Sequence, residues 1–181
     1  GPAAGAHVVF GVTLGTGVGG GIIVDGRPIV GANAIAGEWG HNALPWPEDA
    51  ERPGPACYCG RHGCIESFLS GPGLARDFQR GGGAALSPEQ IVDGAIKGDR
   101  AGSASLERYE HRLGRAVASI INVLDPDVIV LGGGLSNIDR LYRNVPAFWA
   151  RWVFSDRVAT KLVRNKHGDS SGVRGAAALW P

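Results

Sequence analysis

Three thiols fall within eight positions, in Cys57-Tyr58-Cys59-Gly60-Arg61-His62-Gly63-Cys64. Glycines at 60 and 63 keep the segment adaptable, and thiolates this close can wrap one tetrahedral Zn2+ at about 2.3 Å per sulfur. An odd number of cysteines so spaced suits a metal site better than a disulfide framework, although a metal-free or redox-active trio is the competing reading. A fourth ligand is needed, and two histidines are on offer. His62 lies inside the thiol segment, whereas His41 lies well upstream. A residue between two close ligands tends to point away, which favours His41. Four protein ligands leave no open position, so the Zn2+ expected on His41, Cys57, Cys59 and Cys64 is a structural clamp and not a catalyst.

The clamp matters for what it ties together. Glu38-Trp39-Gly40-His41 stands at one end of the metal loop and Cys64-Ile65-Glu66 at the other. A single glutamate is ordinarily a solvated surface acid. Two of them fixed by one metal can accept hydrogen bonds from several hydroxyls at once, which suits a sugar.

Two glycine clusters suggest phosphate. Gly15-Thr16-Gly17-Val18-Gly19-Gly20 has the form G-x-G-x-x-G, but an apolar run and not a helix follows it, and the next acid, Asp25, comes too soon for a dinucleotide fold. No Lys-Ser/Thr pair follows, so it is not a P-loop either. What remains is a β-turn-β loop whose bare amides and Thr16 hydroxyl can approach an anion, or a tight hairpin that binds nothing. Gly132-Gly133-Gly134-Leu135-Ser136 stands at a strand's C-terminal end, where α/β sheets bind ligands. Together the two clusters raise phosphate binding to an equal footing with the hairpin that binds nothing.

The elements that must position these groups follow from periodicity. His7–Leu14 reads as a strand, Gly15–Gly21 as a turn, and Ile22–Val24 as a second strand. Asp25-Gly26 predicts a hairpin turn with Arg27–Val30 returning from it. Gly31–Gly63 has no sustained period and reads as a long functional loop. Helices are expected over 73–80, over 88–97 with Ser87 as cap and Pro88 in first position, and over 102–124. Asp127–Leu131 reads as a strand, 138–150 as a helix capped by Ser136 or Asn137, 161–164 as a strand and 175–179 as a closing helix. This order predicts a mixed α/β sheet with packed helices and an inserted zinc loop at about 31–70.

Composition sets the limits. The chain has 181 residues, 30 of them Gly and 11 Pro, yet 44% are hydrophobic and only 19% charged, which excludes collagen and solvated disorder. Lys and Arg number 18 against 17 Asp and Glu, a balance that argues against a nucleic-acid partner. No apolar run approaches the ~20 residues of a membrane span, and no leader opens the chain. A soluble, reducing, cytoplasmic setting is expected. There is no Met, which points to a processed or truncated piece of something longer.

Glu38-x-Gly40-His41 followed by Cys57-x-Cys59-Gly60-x-x-Gly63-Cys64-x-Glu66 resembles the double signature of the ROK family (repressors, open reading frames, sugar kinases). Gly15–Gly21 resembles the family's second phosphate motif, and Leu131–Ser136 its nucleotide-side turn. The wording at Gly37–Trp46 resembles the fructokinase or manno(fructo)kinase branch, with N-acetylglucosamine kinase a near neighbour. The resemblance implies one lobe, the C-terminal one spanning 1–181, of an actin-like, ribonuclease-H-like ATPase. It implies that Glu38, Glu66 and His41 bind a hexose, His41 through the ring nitrogen that Zn2+ leaves free. It also implies that Gly15, Thr16, Gly17 and Gly132, Gly133, Gly134 hold ATP, and that Mg2+ bridges the phosphates. The reaction implied is phosphorylation of a hexose 6-hydroxyl, of fructose in the first instance. The family's catalytic Asp has no match here: Asp25, Asp49 and Asp127 stand in the wrong contexts, so these residues alone should be nearly inactive without an N-terminal lobe. A sugar-sensing repressor of the same family is the alternative function. Trp149, Trp152 and Phe154 would suit a homodimer contact.

Overall fold

A computed structural model describes residues 2–166; the expected closing helix at 175–179 lies outside them. Strand β1 (Val8–Leu14) pairs antiparallel with β2 (Val18–Val24), from Val8 opposite Val24 to Leu14 opposite Val18. The turn between them is only Gly15–Gly17, and Gly19, Gly20 and Gly21 belong to β2. Their reading as turn residues is thus corrected, and Gly20 must be small because another segment crosses it, as described below. Asp25 and Gly26 both take positive φ, 49° and 76°, as a two-residue hairpin turn requires. Only Arg27–Pro28 (β3) then pairs back against β2, a shorter return than 27–30.

Helices α1 (Ile65–Leu69), α2 (Gly71–Arg80), α3 (Pro88–Ile96) and α4 (Arg100–Leu124) precede β4 (Val128–Gly132), then α5 (Leu141–Trp149) and β5 (Lys161–Arg164). The sheet runs β3-β2-β1-β4-β5, with β1–β4 and β4–β5 parallel, so it is mixed as its sequence suggests. The Asp127 carboxylate accepts the amides of His7 and Val8, each at 2.8 Å, and sets the start of β1 against β4. Those two amides hold its carboxyl below the usual range.

Local chemistry explains most helix ends. Ser70 accepts from the Gly73 amide, Ser87 and Gln90 form a capping box ahead of Pro88, and Asp99 accepts from Ala101 and Gly102. These caps start α2 and α4 two residues before the expected 73 and 102. At the other end of α4, Asp125 adopts the left-handed conformation (φ 44°) ahead of Pro126. The expected cap of α5 is corrected. Gly133 (φ 79°) turns the chain into a 3-10 helix over Gly134–Asn137, where the Ser136 hydroxyl donates to the Gly133 carbonyl at 2.7 Å. Helix α5 therefore begins at Leu141 with no side-chain cap.

Leu106, Tyr109, Leu113, Val117 and Ile121 of α4 enter the core, and Tyr109 donates to the Leu69 carbonyl at 2.9 Å. Trp149 is buried in that core and is therefore removed from the expected dimer contact. Trp152 stacks on Trp46 at 5.2 Å, and Phe154 is fully exposed. Among the described residues, no helix is long and apolar enough to cross a membrane.

A buried ionic chain fastens the long loop to α4. Glu51, in a 3-10 turn of the loop, accepts from Arg112 at 2.7 Å and from Arg115 at 2.8 Å, and Arg115 also donates to the Trp46 carbonyl at 2.6 Å. Arg112 reaches on to Asp77 of α2 at 2.6 Å, which Arg108 and Ser105 also hold. Burial alone would raise both carboxyls. The hydrogen bonds from Arg112 and Arg115 to Glu51, and from Arg108 and Arg112 to Asp77, win and lower them. Breaking such a pair leaves charge without a partner, so Arg112→Ala should cost about 3–5 kcal/mol of stability at pH 7 in urea unfolding of the full-length protein. Because both carboxyls are depressed, this contribution is full above their unfolded values and fades as pH falls below about 4. The gap between wild type and Arg112→Ala should narrow over that range.

Candidate functional site

The long loop lies across the glycine face of β2, backbone on backbone. A Cβ at Gly20 would stand 2.8 Å from the Gly37 carbonyl oxygen, and one at Gly40 would stand 2.0 Å from that of Val18. Gly37, at φ 91°, approaches Gly21 just as closely. Between these contacts Trp39 is buried edge-on to Phe10 at 5.5 Å, and its indole N–H donates to the Gly19 carbonyl at 2.9 Å. With Trp39 driven inward, Glu38 stays exposed and His41 half-buried beyond it.

The loop then folds back on itself. Leu44 donates to the Gly63 carbonyl, Ile65 to Asn42 and Glu66 to Gly40, each at 2.8–2.9 Å, while Cys57 donates to Arg61 at 2.8 Å. These bonds bring His41, Cys57, Cys59 and Cys64 together, with all four ligand atoms within 4.8 Å of one another. Cys57 Sγ stands 3.5 Å from His41 Nδ1, and Cys59 Sγ stands 3.6 Å from Cys64 Sγ. A tetrahedral Zn2+ with arms of about 2.3 Å needs its sulfurs about 3.8 Å apart, so spacing and donor chemistry both fit that ion. His62 forms a bridge with Ala56 and is not part of the cluster. Burial and hydrogen bonds with Cys59 and Cys57 push the Cys64 thiol up to about 12, so its thiolate calls for a cation. The Arg61 amide, with the neighbouring thiols, lowers Cys59.

His41 Nε2 faces away from the sulfurs and is 2.8 Å from the Tyr58 hydroxyl. Tyr58 is 84% exposed, edge-on to the imidazole at 4.9 Å. Desolvation of its hydroxyl, then the negative charges of Glu66, Cys57 and Glu38, raise its pKa, which places both glutamates within electrostatic reach of one phenol.

Glu66 links the metal loop to the first glycine turn. Its Oε2 accepts the Val18 amide at 2.9 Å, and a Cβ at Gly17 would come within 2.7 Å of the same oxygen. Gly71, opening α2, donates to the Gly15 carbonyl at 2.8 Å. Two cavities meet at this turn. One, of about 480 Å³, is lined by Thr16, Gly17, Cys57, Tyr58, Glu66 and Arg76 among others. The other, of about 470 Å³, is lined by Gly15, Thr16, Ser87, Pro88, Glu89, Gly134 and Leu135. Thr16 and Pro72 belong to both walls. The two glycine turns meet because β1 and β4 are parallel neighbours, which sets the C-terminal ends of both strands side by side.

Not every expected residue reaches these cavities. Of the second cluster, Gly134 lines one, while Gly132 ends β4 and Gly133 packs where a Cβ would lie 2.5 Å from the Leu14 carbonyl oxygen. Of the expected sugar-binding residues only Glu66 lines a cavity wall; Glu38 and His41 line neither. The contributions of Ser70–Pro72, Arg76 and Leu86–Glu89 were missed from the sequence, where Ser87 and Pro88 read only as a helix start. As for a general base, Asp25 pairs with His7, Asp127 is engaged by two amides, and Asp49 is exposed in the 3-10 turn.

The sequence profile of the ROK family matches residues 1–181. An N-acetyl-D-glucosamine kinase of Erwinia tasmaniensis is 41% identical over 95% of this chain and 58% of its own length, and an Escherichia coli protein of the same name is 39% identical with the same coverage. The chain thus spans under two thirds of these relatives. Among solved structures, a ROK family glucokinase from Streptomyces griseus, in complex with glucose and AMPPNP, superimposes with a TM-score of 0.86 at 27% identity, over 98% of this chain and 61% of its own. A ROK hexokinase from Thermus thermophilus gives 0.83 at 28%, over 97% and 59%. The fold is that of the family's actin-like ATPases. The relatives carry the name of the alternative branch, and fructose gains no support from them. By this full-length profile match and these identities, the chain belongs to the ROK family.

Proposed function

We propose that this chain is the C-terminal lobe of an ATP-dependent sugar kinase acting on N-acetyl-D-glucosamine or a close hexose at its 6-hydroxyl. The observation that carries this reading is the shared wall at Thr16: a cavity with carboxylate and phenol donors and acceptors on one side, a glycine-lined cavity on the other. Phosphoryl transfer asks the protein mainly to position and neutralise, and a shared turn between sugar and nucleotide does that. The names of the relatives favour N-acetylglucosamine over fructose.

In this reading Glu66 accepts sugar hydroxyls while the Val18 amide fixes its carboxylate, and Glu38 closes over the sugar from the exposed side. His41 turns Nδ1 to the thiols and presents Nε2 to the sugar, exchanging the Tyr58 hydroxyl for a substrate hydroxyl. Thr16 and the Gly17 amide hold the phosphates, Gly15 closes the turn by donating to the Gly17 carbonyl at 3.0 Å, and Gly134 borders the nucleoside. Zn2+ on His41, Cys57, Cys59 and Cys64 supplies rigidity, and Mg2+ with the nucleotide supplies charge neutralisation. The general base comes from the other lobe, so 1–181 alone is inactive. ATP and reduced thiolates suit the cytoplasm. The complete Thr16 turn favours a kinase over a sugar-sensing repressor, which has no need to hold ATP.

The test is ADP release by the full-length protein with ATP and Mg2+ against N-acetylglucosamine, glucose, mannose and fructose. N-acetylglucosamine should lead by about tenfold or more in kcat/KM. No ADP from any hexose would sink the kinase reading. Cys59→Ser should lower bound zinc, read by metal analysis, and weaken sugar binding by about 10–100-fold in calorimetry. Unchanged sugar affinity in a zinc-free Cys59→Ser protein would contradict the clamp.

A further inference from the structure

No basic run is visible in the sequence, yet the fold assembles one. A cavity of about 340 Å³ lies between the loop turn at Glu51–Pro55 and helices α2 and α4. Its wall carries five guanidiniums, Arg52, Arg76, Arg80, Arg108 and Arg112, against two carboxylates, Glu51 and Asp77. The whole chain is close to neutral, with 18 cationic and 17 anionic residues, so this excess is local.

The two carboxylates have no capacity left for the surplus. Glu51 is taken by Arg112, by Arg115 from behind the wall and by the Glu48 amide. Asp77 is taken by Ser105, Arg108 and Arg112. Arg115 itself is buried with its Nε lacking a partner. Arg76 spends one N–H on the Ser67 carbonyl, and Arg52 has only a 3.7 Å pairing with Asp49 at the surface. Arg80 makes no ion pair among the described residues. Guanidiniums gathered in a partly buried cleft repel one another unless an anion sits among them, and their planar forks match phosphate oxygens.

We propose that this cleft binds a phosphate-bearing small molecule, as a site that adjoins one Thr16 cavity through Ser67 and Arg76 but opens between the loop turn and helices α2 and α4. The volume exceeds what one phosphate fills and lies in the range of small-molecule sites, so it accepts inorganic phosphate or a phosphate ester of sugar size. The site does not depend on the kinase reading, because a sugar-sensing protein would carry the same charges.

Crystals of the full-length protein soaked in tungstate should show an anomalous peak against Arg52, Arg80 and Arg108, which line this cleft and neither Thr16 cavity. Calorimetry with inorganic phosphate and with N-acetylglucosamine 6-phosphate, both with AMPPNP and N-acetylglucosamine saturating, keeps the Thr16 cavities from answering. Binding should persist there, and the tighter of the two ligands identifies free phosphate or the ester as the source. The variants Arg80→Glu and Arg52→Glu lie outside the Thr16 cavities; each should weaken this binding about tenfold or more while AMPPNP affinity is unchanged. No peak, binding abolished by AMPPNP, or charge reversals that leave the affinity intact would each overturn the site.

Discussion

The close contact of two backbones, the long loop on strand β2, is the constraint on which the rest depends. It exists because Gly20, Gly37 and Gly40 carry no Cβ, and each missing atom would fall within 3 Å of backbone on the other side. The contact seats Trp39 under the loop, and Trp39 fixes the directions of Glu38 and His41. A side chain at any of these glycines would lift the loop and carry a metal ligand away from the thiols. The cluster of His41, Cys57, Cys59 and Cys64 therefore closes a loop that steric fit has already placed.

The loop is held from its other end by charge. Glu51 lies across from Arg112 and Arg115, and their mutual attraction in a buried setting offsets a large desolvation cost only because nearly every polar atom finds a partner. Steric fit at one end and ion pairing at the other leave the metal cluster between two fixed points. Arg112 also lines the cleft with the positive excess, so the device that fastens the loop contributes one wall residue to it.

Short-range chemistry was legible in the sequence, whereas tertiary reasons for a residue were not. Cys57, Cys59 and Cys64 declare themselves because a metal needs them within a few positions, and Ser87-Pro88 declares a helix start because capping is local. Gly19–Gly21 misled, since glycine signals a turn by default and the reason for Gly20 here is a segment arriving from seventeen residues away. Arg112 and Arg115 also stayed hidden: at helical spacing an arginine reads as a solvated face, and its partner Glu51 is remote in sequence. Ser136 looked like a cap because its hydroxyl can serve an amide ahead, but a carbonyl behind it claimed the proton. Of the candidate site, the ligands and glycine turns could be named in advance. The second halves of the cavity walls, at Ser70–Pro72 and Leu86–Glu89, depend on how helices pack and could not.

The parallel pairing of β1 with β4 has a consequence for biogenesis. Strand β1 emerges early and finds β2 at once, but its other edge waits for Val128–Gly132. At translation rates of about 5–20 residues per second, that edge stays open for roughly 6–20 s. It is an apolar strand, Val8–Leu14, with unpaired amides along one side. The nascent hairpin is thus a template for wrong pairing until α4 and β4 arrive, and expression that slows the ribosome within α4 would lengthen the exposure. The feature that sets the two glycine turns side by side in the finished protein is also the longest wait for a strand partner among the described residues.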